Sequence, residues 1–84
     1  MNDEIVSLHG PIEREGLRLV IRIPLDQGGC DLHLVCQQIS EIDGDDLVVP
    51  IPFWLADKIR VAEGTIVHVD NRGGKFNISK AEVQ

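Results

Sequence analysis

The chain has 84 residues, of which 43% are hydrophobic and 26% charged, and its formal net charge is −6 at pH 7. This length suits one domain with a small core, so we expect a single domain over 1–84 and a homodimer that buries additional surface. The acidic balance repels phosphate and favours basic or neutral partners. The sequence contains no basic-then-apolar start and no long apolar run, which predicts a cytoplasmic protein without membrane association.

The first part of the chain shows a period of two, which is typical of half-buried strands. Residues 5–8 are predicted as a short strand, joined through a charged turn to a longer strand over residues 17–23. In the longer strand the odd-numbered residues are apolar and are predicted to face the core, whereas Arg18 and Arg22 face outward. We therefore expect residues 1–33 to form an N-terminal β-hairpin extension.

The segment from Cys30 to Cys36 reads CDLHLVC and is also predicted as a strand, with Leu32, Leu34 and Cys36 on one face. Along a strand the two cysteines would lie roughly 20 Å apart, whereas a disulfide needs Cα atoms within about 7 Å. His33 would face away from both cysteines, so the ligands of a zinc site would not converge. We expect free thiols, no metal site and no cofactor.

The second half of the chain adds a short helix. An acidic turn over residues 41–46 precedes a strand over residues 47–51, in which Pro50 marks an edge, a bulge or the end of the strand. Pro52 then favours the start of a helix of about two turns that extends to residue 59.

A β-hairpin follows this helix, with its turn at residues 71–74. The whole pattern predicts a mainly β fold with one short helix. The predicted core consists of the inward apolar residues of these elements: Leu19, Ile21, Leu47, Val49, Ile51, Leu55, Ile59, Val67, Val69, Phe76 and Ile78.

Part of the sequence recurs at a constant offset of 28: residues 16–24 read GLRLVIRIP and residues 44–52 read GDDLVVPIP. A second similarity relates GxxLHL at residues 29–34 to GxxVHV at residues 64–69. Two explanations remain open. Strands with turn residues resemble one another by chance, or the chain holds two related strand units, the second with a helix inserted. In the second case a barrel could close within one chain.

Residues 34–80 resemble the AbrB/SpoVT/MazE swapped-hairpin domain. The resemblance rests on a V-V-x-I-P-x-x-L core at residues 48–55, an E-G-x-x-V motif at 63–67 and a closing G-K-F-x-I at 74–78. In that family two chains exchange hairpins to build one barrel, and members act as DNA-binding regulators or as antitoxins. The resemblance implies a small swapped-hairpin β-barrel with an extra N-terminal β-hairpin, and a non-enzymatic regulator of this kind.

The charges of the chain depart from those of the family's DNA binders, which place Arg and Lys on the first strand, its turn and the helix. The corresponding turn of this chain carries four acids: Glu41, Asp43, Asp45 and Asp46. Each contact to a phosphate needs a cation, so we expect no DNA binding by the usual face. Any nucleic-acid contact is left to Arg72 and Lys75, or to Arg18 and Arg22, on another face.

Two surface features are candidates for binding a protein partner. Phe53 and Trp54 open the predicted helix, and Trp54 lies off its inward stripe. Trp54 is therefore either an exposed interaction anchor or additional core covered by the N-terminal extension. Arg18 and Arg22 share the outer face of one strand, which is either a solvated face or a small strip that binds acidic groups.

Two functional classes remain open. The first is a small regulator of the AbrB or antitoxin kind that binds DNA, a basic toxin or both. The second is a protein-interaction or structural module that kept the barrel and lost its contact with DNA. The sequence contains no catalytic motif and no phosphate-binding loop, so no enzymatic activity is expected. We favour the regulator.

Overall fold

The computed structural model describes residues 5–81, so both ends of the expected domain 1–84 lie outside it. The helices and strands follow one another in this order: β1 (Ser7–Pro11), β2 (Glu13–Glu15), β3 (Arg18–Pro24), α1 (Gly29–Val35), β4 (Glu41–Asp43), β5 (Asp46–Ile51), α2 (Phe53–Ile59), β6 (Ile66–Asp70) and β7 (Asn77–Lys80). Two 3-10 turns complete the set: Leu25–Gln27 and Arg72–Gly74. The protein is mainly β, as predicted, but it has two α-helices instead of one.

The strands form two antiparallel sheets. One sheet has the order β1-β6-β7 and the other has the order β2-β3-β5-β4. Within residues 5–81 no strand pair joins the two sheets, so they do not close into a barrel. The predicted N-terminal hairpin, with arms over residues 5–8 and 17–23, is wrong in its pairing: β1 pairs with β6, and β3 pairs instead with β2, which lies in the segment predicted as a charged turn. Residues 1–33 therefore contribute strands to both sheets.

The core lies between the inner faces of the sheets, and both helices pack against it. Every residue of the predicted core is either buried in it (Leu19, Ile21, Leu47, Val49, Ile51, Val67 and Val69) or partly buried against it (Leu55, Ile59, Phe76 and Ile78). Leu17 does not face the core, because it lies in the turn before β3 and is 85% exposed. Ile12, which was not predicted, is 1% exposed, and its backbone hydrogen-bonds Gly64 and Thr65 in the segment before β6.

The first of the two sequence similarities corresponds to two matching structural units. In the β2–β3 hairpin Glu13 lies opposite Val20, and in the β4–β5 hairpin Glu41 lies opposite Val48. The turn glycines of both hairpins adopt a left-handed conformation, with φ of 65° and 62°. The two hairpins therefore have the same register at the offset of 28 residues.

A local twofold axis relates these units. β3 pairs antiparallel with β5, and Ile21 lies opposite Val49, its own counterpart at the offset of 28. Pro24 and Pro52 both follow the repeated strand in extended conformation and cap a helical turn. The chain thus contains within itself one pair of twofold-related hairpins.

The strand predicted over Cys30–Cys36 is wrong, because Gly29–Val35 forms α1. Leu32 and Cys36 are buried at 0% and 4% exposure, whereas Leu34 is 68% exposed. Residues four apart share one face of a strand and also one face of a helix, so this pair fits both patterns. The second sequence similarity therefore matches a helix with a strand. Both cysteines are free thiols.

Two adjacent glycines allow α1 to begin close to the end of β3. Gly28 has a φ of 102°, and a Cβ atom on it would lie 2.7 Å from the side chain of Val6. A Cβ atom on Gly29 would lie 2.8 Å from the carbonyl oxygen of Pro24. Larger residues would push the helix away from the strand, so the glycine pair positions Leu32 in the core.

The helical assignment of α1 gives a direct stability test. Leu32→Ala should destabilise the protein by about 2–5 kcal/mol, because it truncates a fully buried side chain. Leu34→Ala should change the free energy of unfolding by no more than about 0.5 kcal/mol, because its side chain is exposed. Urea denaturation of both variants measures the difference. Equal, large losses would show that the two leucines share a buried strand face.

Candidate functional site

Arg22 is the centre of an ion-pair network on the outer face of the four-stranded sheet. Its guanidinium group contacts the carboxylates of Glu15 at 2.5 Å, Asp43 at 2.7 Å and Asp46 at 3.1 Å. The hydrogen bonds to Asp43 and Glu15 raise the pKa of Arg22 above its ordinary value. The side chain is 26% exposed, so three acids enclose most of the cation.

Arg18 extends this network through a two-point contact with Glu41. Its Nη1 and Nη2 atoms donate to the two carboxylate oxygens of Glu41 at 2.8 and 3.1 Å. The hydrogen bond and charge of Arg18 lower the pKa of Glu41 below its ordinary value of 4.5. Arg18 also lies 3.9 Å from Glu15, so Glu15 connects the two arginines.

Arg18 and Arg22 were predicted as a possible strip that binds acidic groups. In the structure both arginines already contact acids of the same chain. Three of the four acids predicted to line a turn belong to the network: Glu41, Asp43 and Asp46. The first two lie in β4, and the turn itself is formed by Gly44 and Asp45. Four carboxylates face two guanidinium groups, so the network keeps an excess of two negative charges. Such a face repels the phosphates of nucleic acid.

An apolar groove of about 230 Å³ opens between α2 and β7. Its walls include side chains from both sheets, α2 and the loop before β4: Ile39, Ile51, Trp54, Leu55, Phe76 and Ile78. The groove is lined by residues of β5 and β7, which belong to different sheets, and β4 pairs with β5 only as far as Val48. Pro50 lies beyond that point, where a missing N–H group is tolerated because the neighbouring strand has ended.

Trp54 contributes one wall of this groove and is 67% exposed, and Phe53 beside it is 60% exposed. The alternative in which the N-terminal extension buries Trp54 as core is therefore wrong. An exposed tryptophan next to an apolar groove has the composition of an interaction anchor, because aromatic residues dominate the energetics of protein interfaces.

The predicted nucleic-acid residues, Arg72 and Lys75, lie at the turn between β6 and β7, and both are exposed. Neither takes part in a salt bridge within residues 5–81.

A polar cluster on the outer face of the three-stranded sheet was not predicted. Ser7 Oγ lies 2.5 Å from His68 Nε2, and His9 stacks on His68 at 4.8 Å between ring centroids. His68 Nδ1 lies 3.7 Å from Asp70, which is too long for a hydrogen bond. The cluster depends on the register of β1 with β6, whose sequence positions are about 60 residues apart.

The carboxylate of Asp70 is held by the adjacent turn and not by His68. Its Oδ1 atom accepts hydrogen bonds from the Asn77 side chain at 2.7 Å and from the backbone N–H of Arg72 at 3.2 Å. The bond from Asn77 is the main cause that lowers the pKa of Asp70. Asp70 therefore stabilises the β6–β7 turn, and it does not orient the imidazole as the acid of a Ser-His-Asp triad does.

Within residues 5–81 no helix is long and apolar enough to cross a membrane. The same part of the chain holds no group of three side chains arranged to bind a metal ion. Comparison of the chain with protein-family models, with curated proteins and with solved structures finds no match.

The Arg18–Glu41 pair predicts a pH-dependent contribution to stability. Arg18→Gln should lower the melting temperature near pH 7, and the loss should shrink as the pH falls to about 3. A carboxylate whose pKa is lowered in the folded state stabilises the fold above its unfolded pKa, and this stabilisation is lost as the pH falls through the folded pKa.

Thermal melts of wild type and variant across this pH range measure the effect. Arg14→Gln is the matched control, because within residues 5–81 Arg14 hydrogen-bonds only the Gly16 carbonyl oxygen. A loss that is equal at all pH values, or equal for the two variants, would contradict the assigned pairing.

Proposed function

We propose that the protein is a small, non-enzymatic regulator that acts by binding another protein at the groove beside Trp54. The observation that carries this proposal is an apolar groove flanked by a tryptophan that is 67% exposed. A side chain of this size is costly to leave in water, and its burial supplies the largest single contributions at protein interfaces.

The charge distribution supports a protein partner over DNA. Arg18 and Arg22 are the cations of the four-stranded sheet's outer face, and their guanidinium groups already contact carboxylates. A phosphate could bind there only by displacing these acids and overcoming the excess negative charge of the network. We therefore propose that the face used by DNA binders of the AbrB kind does not bind DNA in this protein.

The homodimer and the swapped-hairpin barrel remain predictions from the resemblance. The groove lies at the gap between the sheets, so it is the place where a further strand or hairpin could complete a barrel. The internal twofold axis through Ile21 and Val49 supports the alternative that one chain supplies both halves of the pairing. Light scattering on the purified protein distinguishes the two arrangements.

Cross-linking tests the proposed binding surface. A photo-reactive amino acid at position 54 should capture a protein in the native cell, whereas the same group at position 17 should not. Leu17 is the matched control, because it is 85% exposed and lies in the β2–β3 turn.

The captured protein is then purified and its affinity measured directly. Trp54→Ala should weaken binding at least about tenfold, and Leu17→Ala should leave it unchanged. Equal effects would contradict the proposal.

The acidic network predicts a specific response to charge removal. The wild-type protein should show negligible affinity for random duplex DNA, even at low salt. Neutralising the four acids that contact the arginines, as Glu15→Gln, Glu41→Gln, Asp43→Asn and Asp46→Asn, should produce weak, salt-sensitive binding. This gain is expected because Arg18 and Arg22 are released to contact phosphates.

The matched control removes the same charge elsewhere, as Asp26→Asn, Asp31→Asn, Asp57→Asn and Glu63→Gln. A gel retardation assay in which both variants bind equally would show that overall charge, and not the released arginines, controls affinity. Tight binding by the unmodified protein would overturn the proposal for this face.

A further inference from the structure

We infer that the groove binds an extended segment of the partner that adds to β7 as a further strand, with apolar residues facing the groove and acidic residues at the ends of the same inward-facing row. This inference rests on the proposed function and specifies the partner's chemistry. It differs from the expectation of a basic partner, which follows from the net charge of the whole chain.

The backbone of β7 offers an open edge beside the groove. Within residues 5–81, β7 pairs only with β6, so its other edge presents unpaired N–H and C=O groups. An extended peptide satisfies these groups by forming a ladder, which is the usual mode of strand addition. A helix would leave them without partners from its own backbone, because helical N–H and C=O groups are bonded internally.

The inner face of β7 carries apolar side chains that line the groove, followed by a lysine at the end of the strand. Ile78 lies opposite the buried Val69, and Lys80 lies opposite the buried Val67, so both occupy the inner face of the strand. Phe76 and Ile78 line the groove. Because residues two apart on a strand share a face, Lys80 extends this row beyond the apolar part.

The wall formed by α2 has the same organisation. Trp54 and Leu55 line the groove. Lys58 follows Trp54 by four residues and Leu55 by three, so it lies on the same side of the helix, one turn later. Asp57 is the one acid on this helix, and it lies three residues after Trp54. Lys58 and Lys80 are exposed, and neither makes a salt bridge within residues 5–81.

The wider charge distribution agrees with this local arrangement. Residues 53–81 contain five Lys or Arg and three Asp or Glu, whereas residues 5–52 contain three and eight, respectively. The part of the chain that contains α2 and β7 is therefore positive, although the protein as a whole is acidic. Carboxylates at the ends of the inward-facing row of an incoming strand would approach lysines that make no salt bridge within residues 5–81, and the apolar residues two positions away would enter the groove.

The test uses two synthetic peptides of equal length with Ser at every second position: the intervening residues, which share one face, read Glu-Val-Val-Glu in the Val/Glu peptide and Lys-Val-Val-Lys in the Val/Lys peptide. Trp54 is the single tryptophan of the chain, so its fluorescence reports occupancy of the groove. The Val/Glu peptide should shift the emission to shorter wavelength and bind at least about tenfold more tightly than the Val/Lys peptide. Each alternate set of residues in the Val/Glu peptide points its N–H groups to one edge, so N-methylation of one set should abolish binding because the ladder to β7 cannot form, whereas N-methylation of the other set should not.

Charge reversal identifies the lysines that select the peptide. The double variant Lys58→Glu and Lys80→Glu should reverse the preference between the two peptides. Reversal of two other cations that do not line the groove, as Arg14→Glu and Arg72→Glu, makes the same change in net charge and should preserve the preference. Equal affinity for both peptides, binding that N-methylation of neither set weakens, or equal effects of the two double variants would each overturn the inference.

Two further outcomes separate this inference from the proposed function. A cross-linked partner that contacts position 54 through a helix or a basic segment would overturn the inference and leave the proposed function intact. Trp54 emission that shifts with protein concentration alone, together with dimers in light scattering, would show that a second copy fills the groove, and this result would overturn both.

Discussion

The antiparallel pairing of β3 with β5 is the constraint on which the rest of the structure depends. It aligns six residue pairs, from Leu19 opposite Ile51 to Pro24 opposite Asp46. One face of this ribbon supplies the inner residues of the core, and the other face carries Arg22. A shift of one residue would turn Arg22 inward and the core residues outward. The register therefore sets the core and the ion-pair network together.

The sequence was sufficient for most of the strands because their apolar residues alternate and because prolines and glycines mark their ends. The start of α2 was predictable for a local reason, since Pro52 directly precedes it. α1 was not predictable in this way. Its buried pair, Leu32 and Cys36, fits a strand as well as a helix, and the close contact that requires Gly29 involves the Pro24 carbonyl group. That contact exists only after the chain has folded.

The candidate sites were predictable as residues but not as arrangements. The sequence identified Trp54 by its residue type and its position on the helix, both of which are local properties. It did not indicate the groove, because the wall opposite Trp54 is formed by β7. It also assigned Arg22 and Asp46 to separate surfaces, although their side chains meet across 24 residues of sequence. Only the strand register brings such groups together.

The lysines on the open side of the structure have a second physical consequence. An exposed strand edge risks pairing with the same edge of another copy, and charged residues, especially lysine, are a common protection against it. Parallel, in-register pairing of two copies of β7 would place two Lys80 side chains directly opposite each other, and their repulsion opposes this contact. A strand with carboxylates at those positions would be attracted instead. The same charge thus disfavours self-association and favours an acidic partner, so a single residue contributes both the repulsive and the attractive element of specificity.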